Sequence, residues 1–322
     1  MGSRKEETVA EPRRASAPDL SAGVAFIDGE FVPIAEARVP ILDLGFLRSD
    51  ATYDVVAVWN GKFFRLDQHL DRFFWGLEKL RLSLPVDREG LTRVLAECVR
   101  RAGIESAYVE AIATRGLPPP GSRDIRQCVN RMYCFAIPYV WLPTPKQRKR
   151  GLRLVVGGTE RISNRAVDPR IKNYHWLDFE QALLQAYDAG GDNVVLTDGH
   201  GLVTEGAGFN VFVVHDGVLK TPATNVLEGI TRLTVLEIAH ELGIPAEIGD
   251  VTADELRNAD EAFGASTAGG VFFVTSVDGR PLRDGRIGPV THRIHDTYWA
   301  WHDDPRFTVA VADVPPFAAE KL

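Results

Sequence analysis

Apolar residues recur at helical spacing in four stretches of the chain, which predicts four amphipathic helices. The stretches run over 67–82, 91–102, 176–189 and 231–242. Gly190 and Gly243 follow the last two stretches, at the position where glycine commonly caps a helix C-terminus. These boundaries leave the intervening segments for strands and turns.

Five Asp-Gly or Asn-Gly pairs interrupt apolar runs, and each pair is a strong signal for a β-hairpin. They stand at positions 28–29, 60–61, 198–199, 216–217 and 278–279. Antiparallel sheet is therefore expected in both halves of the chain. Because helices and strands do not alternate regularly, the pattern predicts an α+β fold rather than a doubly wound parallel sheet.

A segment rich in proline and then in basic residues divides the chain. It covers 139–151 and is typical of an interdomain linker. The prediction is a flexible N-terminal tail (1–22), a small domain (23–138), the linker and a larger domain (152–322). The tail mixes arginine, lysine and glutamate without an apolar centre, so it does not resemble a signal peptide.

Composition narrows the function classes. The 322 residues are 45% hydrophobic and 25% charged, as in an ordinary soluble globular protein, and the net charge of −7 argues against a nucleic-acid surface. No apolar run is long enough to span a membrane. Cys98, Cys128 and Cys134 show no disulfide or metal-ligand spacing, which favours the reducing cytoplasm.

The candidate chemistry centres on Lys172, which lies among Ile171, Tyr174 and Trp176 just before a predicted helix. Partial desolvation in this apolar setting would lower the pKa of its amine and leave part of it neutral and nucleophilic. Such an amine suits a covalent bond to an aldehyde cofactor. A lysine that merely extends its ammonium group to water is the alternative.

Two further motifs extend this picture. Glu205 precedes the small residues 206–208, which let a flat ring approach the backbone, and its carboxylate could keep a pyridine nitrogen protonated. The segment 227–234 leads into a helix, so the amides of Ile230 and Thr231 could hold a phosphate. Thr267 in a second small-residue turn and Arg72 on an earlier helix could add donors.

Taken together, this ordered set resembles the fold-type IV pyridoxal-phosphate enzymes over nearly the whole chain, from about Phe26 to Trp299. The resemblance implies a two-domain homodimer with pyridoxal 5'-phosphate between the domains. It implies that Lys172 bonds to the cofactor and that Glu205 contacts its ring nitrogen. The phosphate would be held by Arg72, Ile230, Thr231 and Thr267.

Within that family, the segments 46–55 and 108–116 are most similar to (R)-selective amine transaminases, and so are Asn173, Trp176 and the double glycine 269–270 after Thr267. We therefore predict a ping-pong amine:pyruvate transaminase that moves an amino group from a primary amine to a keto acid. The predicted substrate pocket contains Arg48, Tyr53, Val55, Tyr108, Glu110, Arg123, Trp176, Thr267 and Ala268. Arg48 stands where those enzymes usually have histidine.

The pocket must accept both an apolar amine and a keto acid. Glu110 would repel a permanently bound carboxylate, so a mobile arginine is expected to swing in for the acid. Arg123, after the proline-rich loop, is the candidate, and Arg126 is the second choice. No metal is expected, since His292, His295 and Asp296 suit a surface helix better than a metal site.

Three alternatives remain open on the sequence. A branched-chain or D-amino-acid aminotransferase would use the same chemistry but needs a permanent carboxylate clamp. A lyase of the aminodeoxychorismate type would need no keto acid. A phosphate-binding protein without catalysis would form no covalent bond between a lysine and the cofactor.

Overall fold

The structure of the protein is a computed structural model that describes residues 22–318. The predicted flexible tail therefore lies outside the described residues, except for its last residue. The strands in chain order are β1 (Val24–Ile27), β2 (Glu30–Pro33), β3 (Ala51–Trp59), β4 (Lys62–Phe64), β5 (Ala107–Leu117), β6 (Val129–Pro138), β7 (Leu152–Glu160), β8 (Asn193–Thr197), β9 (Val203–Gly206), β10 (Asn210–His215), β11 (Val218–Pro222), β12 (Ala246–Gly249), β13 (Glu261–Ser266), β14 (Gly270–Val277), β15 (Arg280–Pro281) and β16 (Thr308–Ala310).

The α-helices of the described residues are α1 (Leu44–Arg48), α2 (Leu66–Leu80), α3 (Arg88–Ala102), α4 (Pro145–Arg150), α5 (Leu177–Asp188), α6 (Ile230–Glu241), α7 (Ala253–Arg257) and α8 (Pro289–Ala300). Single turns of 3₁₀-helix cover Ile34–Glu36, Ile125–Gln127, Trp301–Asp303 and Val311–Asp313. The four predicted helices correspond to α2, α3, α5 and α6. Gly190 and Gly243 have the positive φ of helix-ending glycines, 78° and 66°.

The first sheet has the strand order β16-β4-β3-β5-β6-β1-β2, and all its pairings are antiparallel. Helices α2 and α3 pack on it, and their apolar stripes enter one core with the inward side chains of the strands. Phe63, Phe73 and Leu91 lie at the centre of this core and are almost completely buried. The sheet is therefore covered by helices on the face opposite to the cavity described below.

The second sheet has the order β12-β11-β10-β13-β14-β7-β8-β9, with β15 paired to β14. It is mixed, because β11–β12, β14–β7 and β7–β8 are parallel while its other pairs are antiparallel. Neighbouring residues of β10 enter different cores: Val213 joins one cluster, and Phe212 joins another beneath α6 and α8. Both faces of this sheet are therefore buried. The mixture of sheets and helices across residues 22–318 confirms the predicted α+β class.

All five predicted hairpin signals join antiparallel strands. Four of them have positive φ at both central residues, the backbone that Asp-Gly and Asn-Gly favour. The fifth, at Asp198, is a longer turn in which the Asp198 carboxylate accepts hydrogen bonds from the amides of His200 and Leu202.

The predicted linker contains a short helix and aromatic side chains that pack on other elements. Its basic half forms α4, which begins with a Thr144–Gln147 capping box and Pro145 at the first turn. Its aromatic half packs against other elements, with the Tyr139 and Trp141 rings 5.4 and 6.0 Å from Trp59.

The C-terminal segment returns to the first sheet. Strand β16 pairs with β4, so residues beyond 300 contribute to the sheet of the N-terminal half. The division into domains at 139–151 stays a prediction.

Candidate active site

A cavity of about 530 Å³ lies where ends of strands from the two sheets meet the loop before α5. Strands β3 and β5 supply one wall, and β9, β13 and the start of α6 supply the other. Twelve of the fourteen predicted site residues line it: Tyr53, Val55, Arg72, Tyr108, Glu110, Lys172, Trp176, Glu205, Ile230, Thr231, Thr267 and Ala268.

Lys172 is held by its backbone from β3. Its carbonyl oxygen accepts hydrogen bonds from the amide of Tyr53 at 3.1 Å and from Thr52 Oγ1 at 2.9 Å. The Asn173 side chain bridges the same loop, because it donates to the Ile171 carbonyl and accepts from the His175 amide. The loop is thus fixed although it has no regular secondary structure.

The side chain of Lys172 faces an aromatic wall. Its Nζ lies 4.6 Å from the ring centroid of Tyr53, which stacks on Tyr174 with the centroids 4.2 Å apart. Burial, together with the positive charge of Arg72, lowers the pKa of Lys172 to about 8. A fraction of the amine is therefore neutral near physiological pH, as the nucleophile of a covalent cofactor bond must be.

Glu205 lies on β9 at the opposite side of the cavity and is buried. Its Oε2 accepts a hydrogen bond from the amide of Leu227 at 2.9 Å, and its Oε1 lies 3.4 Å from Arg161 Nη2. Burial raises the pKa of Glu205, while Arg161 favours its charged form.

Arg161 is a cavity residue that the sequence did not single out. It follows β7, donates to Asp178 at 2.7 Å and lies over the Phe179 ring at 4.3 Å. The buried guanidinium of Arg161 thus lies next to Glu205, and the carboxylate of Asp178 on α5 also balances its charge. An isolated arginine after a strand carries no sequence signal for this role.

The start of α6 provides the anion-binding end of the cavity. Its N-cap, Gly229, has no side chain to accept from the first-turn amides, which remain available to a ligand. Arg72 reaches the same turn, since its Nη1 donates to the Glu228 carbonyl at 3.1 Å. The structure therefore brings together three of the residues predicted to bind the phosphate, Arg72, Ile230 and Thr231.

Thr267 lies in a turn that is held in place by Tyr139 from the predicted linker. Tyr139 Oη donates to the Thr267 carbonyl at 2.6 Å and accepts from the Gly269 amide at 2.9 Å. Ser266 Oγ donates to the Gly208 carbonyl at 2.8 Å, which ties this turn to the one after Glu205.

Glu110 is the buried acid of the substrate wall. It lies on β5 beside Tyr108, and Tyr174 Oη donates to its Oε1 at 2.6 Å. Burial raises the pKa of Glu110, partly offset by this hydrogen bond. Tyr174 itself was noted in the sequence only as part of the apolar setting of Lys172.

Two predicted substrate residues are not brought to the cavity of their own chain. Arg48 ends α1 and is exposed, and Arg123 lies exposed in the loop before β6. Arg126 is also exposed and pairs with Asp124 at 2.6 Å. The predicted place of Arg48 in the substrate pocket and the predicted carboxylate binding by Arg123 or Arg126 stay predictions.

The donor set fits the predicted cofactor. A lysine with a lowered pKa, a buried carboxylate across from it and a helix start with free amides match an aldehyde, a ring nitrogen and a phosphate. The aromatic residues Tyr53 and Trp176 supply flat apolar surface between these ends. Residues 22–318 contain no group of three or more side chains arranged to hold a metal ion. Within the same range, no helix combines the length and apolar character needed to cross a membrane.

Comparisons with known proteins identify the family of the chain. Residues 51–277 match the family described as Amino-transferase class IV. The chain is 31% identical over 277 residues to a D-alanine aminotransferase of Listeria monocytogenes, covering 84% of this chain and 93% of that protein. It is 30% identical over 287 residues to a branched-chain-amino-acid aminotransferase of Pseudomonas aeruginosa, covering 86% and 92%.

Solved structures show the same architecture. A branched-chain aminotransferase from Thermoproteus uzoniensis, solved with norvaline, superimposes with a TM-score of 0.82 at 30% identity, covering 89% of this chain and 99% of that one. A branched-chain amino acid aminotransferase from a T.th. strain, solved with pyridoxamine 5'-phosphate, superimposes with a TM-score of 0.83 at 29% identity, covering 90% and 99%.

The family of the chain follows from these matches. The chain belongs to the class IV aminotransferases. The predicted family, fold and enzyme class, a pyridoxal-phosphate-dependent aminotransferase, are confirmed.

Proposed function

We propose that the protein is an (R)-selective amine:pyruvate transaminase. The observation that carries this proposal is the charge of the substrate wall. Among the described residues that line the cavity, the two arginines, Arg72 and Arg161, are already paired with carboxylates, and the remaining cation is Lys172. Glu110 adds a buried acid on the substrate side. This wall favours a donor that lacks a carboxylate, which is a simple amine.

The cofactor supplies an electron sink that stabilises the negative charge left on the substrate carbon when its proton is removed. Arg72, Ile230, Thr231 and Thr267 would hold its phosphate, and Glu205 would hold a proton on its ring nitrogen. Arg161 favours the charged form of that carboxylate.

Lys172 Nζ moves the proton in this mechanism. With a pKa of about 8, the amine is close to the operating pH, so it can both accept and return a proton. Its backbone bonds to Tyr53 and Thr52 fix the loop from which it reaches into the cavity. The aromatic wall of Tyr53 and Tyr174 excludes water from one side of Nζ.

A homodimer is part of the proposal. Large apolar side chains are exposed on and beside α1, and in the loop before β6 together with the first residue of that strand: Ile41, Leu42, Phe46, Leu47, Ile125 and Val129. We call this set the α1 patch. Asp43, the N-cap of α1, accepts hydrogen bonds from Thr114 Oγ1 on β5 at 2.9 Å and from Tyr133 Oη on β6 at 2.7 Å, so α1 lies beside the two strands that this loop connects. A second copy of the chain is the proposed cover for this surface.

The same patch bears on keto-acid binding. Arg48 and Arg123 belong to the two segments that form it and do not line the cavity of their own chain. An arginine that binds the carboxylate of pyruvate would come from a movement of the Arg123 loop or from the second copy. A cytoplasmic location fits the free thiols of Cys98, Cys128 and Cys134.

A branched-chain or D-amino-acid aminotransferase is the second candidate, because the relatives described above carry those names. A lyase of the aminodeoxychorismate type is the third. The test supplies (R)- and (S)-1-phenylethylamine with pyruvate, and compares them with D-alanine and L-leucine supplied with 2-oxoglutarate. We expect the (R)-amine to be the best donor and to require the keto acid. Faster reaction of either amino acid would contradict the proposal, and so would repeated release of pyruvate from aminodeoxychorismate in the absence of a keto acid.

A further inference from the structure

A buried ionic trio stands behind the anion-binding end of the cavity. Asp54 on β3 accepts two hydrogen bonds from the Arg72 guanidinium. Arg72 Nε donates to Oδ2 at 2.7 Å, and Arg72 Nη2 donates to Oδ1 at 2.9 Å. His69, one helical turn before Arg72 on α2, lies with its Nδ1 2.7 Å from the same Oδ1. Asp54 and His69 are each only 4% exposed.

The carboxylate of Asp54 is saturated with donors. Besides Arg72 and His69, the amide of Val55 donates to Oδ1 at 2.8 Å. Although burial opposes ionisation, the charge of Arg72 and the bond from His69 hold the pKa of Asp54 well below its usual range. Burial lowers the pKa of His69, and because Nδ1 faces a carboxylate oxygen that accepts, Nδ1 carries the proton donated to Asp54.

This arrangement fixes one side of the Arg72 guanidinium. Of its five N–H groups, two donate hydrogen bonds to Asp54 and one donates to the Glu228 carbonyl. The other two N–H groups have no acceptor among the described residues. Arg72 lines the cavity beside the start of α6. A guanidinium held on one edge presents the rest of its planar fork in a fixed direction, which is the geometry that binds phosphate bidentately.

We propose that Asp54 is a positioning residue that sets the orientation of Arg72 and thereby the recognition of the phosphate end of the cofactor. The inference rests on the proposed function, because it assigns the phosphate to this end of the cavity. Asp54 does not line the cavity, so it acts through Arg72. His69 supports the carboxylate from the helix that carries Arg72.

A purely electrostatic role of Asp54 and a positioning role predict opposite changes in phosphate affinity for Asp54→Asn. Removing a negative charge near a dianion would by itself tighten phosphate binding. Positioning predicts the reverse, since the amide of asparagine would present a donor towards a guanidinium that also donates. One substitution therefore separates the two effects by the sign of the change in affinity.

The experiment titrates the full-length protein, freed of cofactor, with pyridoxal phosphate and with pyridoxal, followed by absorbance. Asp54→Asn is expected to weaken pyridoxal-phosphate binding about 10- to 100-fold, the loss of a charge-assisted hydrogen-bond pair, and to leave pyridoxal binding unchanged. Inorganic phosphate should compete with pyridoxal phosphate less well in the variant than in the wild type.

The matched control is Asp192→Asn. Asp192 has a 6% exposed side chain and pairs with Arg150 at 2.7 Å and Arg153 at 3.0 Å, away from the cavity lining. This control should keep both affinities. Asp54→Glu, which keeps the charge but displaces the carboxylate, should lose selectivity for the phosphate as Asp54→Asn does, and it carries the test if Asp54→Asn does not fold.

Unchanged or tighter binding of pyridoxal phosphate to the Asp54 variants would overturn the inference. Equal weakening of both ligands would also overturn it, because a general structural defect does not distinguish them. Failure of the proposed function looks different: the wild type itself would bind pyridoxal phosphate but transfer no amino group from the amine.

Discussion

Thr52 Oγ1 donates a hydrogen bond of 2.9 Å to the carbonyl oxygen of Lys172, across 120 residues of sequence. Thr52 lies on β3 and is buried against α2, where Gly76 leaves room for it: a Cβ at Gly76 would lie 2.9 Å from the Thr52 hydroxyl oxygen. The loop that carries the reactive lysine is therefore held by the sheet of the other half of the chain.

Removing this hydroxyl should slow the chemistry. Thr52→Val keeps the shape but leaves the Lys172 carbonyl with the Tyr53 amide as its remaining partner, at a cost of about 0.5–1.5 kcal/mol, or roughly 2- to 13-fold in rate. The single-turnover rate of the amine half-reaction measures this loss of rate. Thr275→Val, which removes a 3.2 Å bond from a buried threonine to the Arg150 carbonyl, is the control and should keep the rate. An unchanged rate in Thr52→Val would show that this bond does not position the lysine.

Lys172 should make the stability of the cofactor-free protein depend on pH. Its pKa is about 8 in the folded chain and 10.5 ordinarily, so between these values the unfolded chain binds more protons. The free energy of unfolding should therefore rise with pH across this window, relative to Lys172→Met. Urea unfolding of both proteins from about pH 7 to about pH 11 gives the difference. A difference that is constant, or that falls with pH, would contradict the lowered pKa.

Glu110 should determine how poorly the cavity accepts amino acids. In Glu110→Gln the charge that opposes a substrate carboxylate is gone, so kcat/KM for D-alanine should rise at least about tenfold relative to (R)-1-phenylethylamine. Glu180→Gln, on the exposed side of α5, is the control and should leave the ratio unchanged. If the ratio does not change in Glu110→Gln either, the wall acid is not the specificity determinant.

The α1 patch should control assembly. Phe46 is 68% exposed, and Phe46→Asp would place a charge in the proposed dimer contact. The mass measured by light scattering should then fall from two chains towards one. Leu184→Asp is the matched control, because Leu184 is 66% exposed on α5, outside the patch. Dissociation by Leu184→Asp but not by Phe46→Asp would move the interface elsewhere.

The sequence identified the parts of the site that depend on local motifs. Lys172, Glu205 and Thr231 each lie in a short segment whose residue types already suggest the chemistry, and the structure brings them to one cavity. Tyr53 on β3 and Glu110 on β5, which the resemblance led us to expect in the substrate pocket, both line the cavity.

The missing parts depend on contacts between distant segments. Asp54 lies on the opposite face of β3 from Tyr53, and its role becomes visible only when α2 places His69 and Arg72 against it. Arg161 acquires its role from Asp178 and Glu205, which come from other elements. The α4 helix could have been predicted, since its capping box is local, but the proline and basic residues suggested an interdomain linker instead.

The central claim is that Lys172 carries the cofactor. Reduction of the purified protein with borohydride, followed by trypsin and mass spectrometry, tests it directly. A pyridoxyl group on Lys172 would block cleavage there and yield one modified peptide covering residues 171–220, whereas free Lys172 gives a peptide that begins at Asn173. We expect the modified 171–220 peptide. A pyridoxyl group on another lysine, or on none, would contradict the claim.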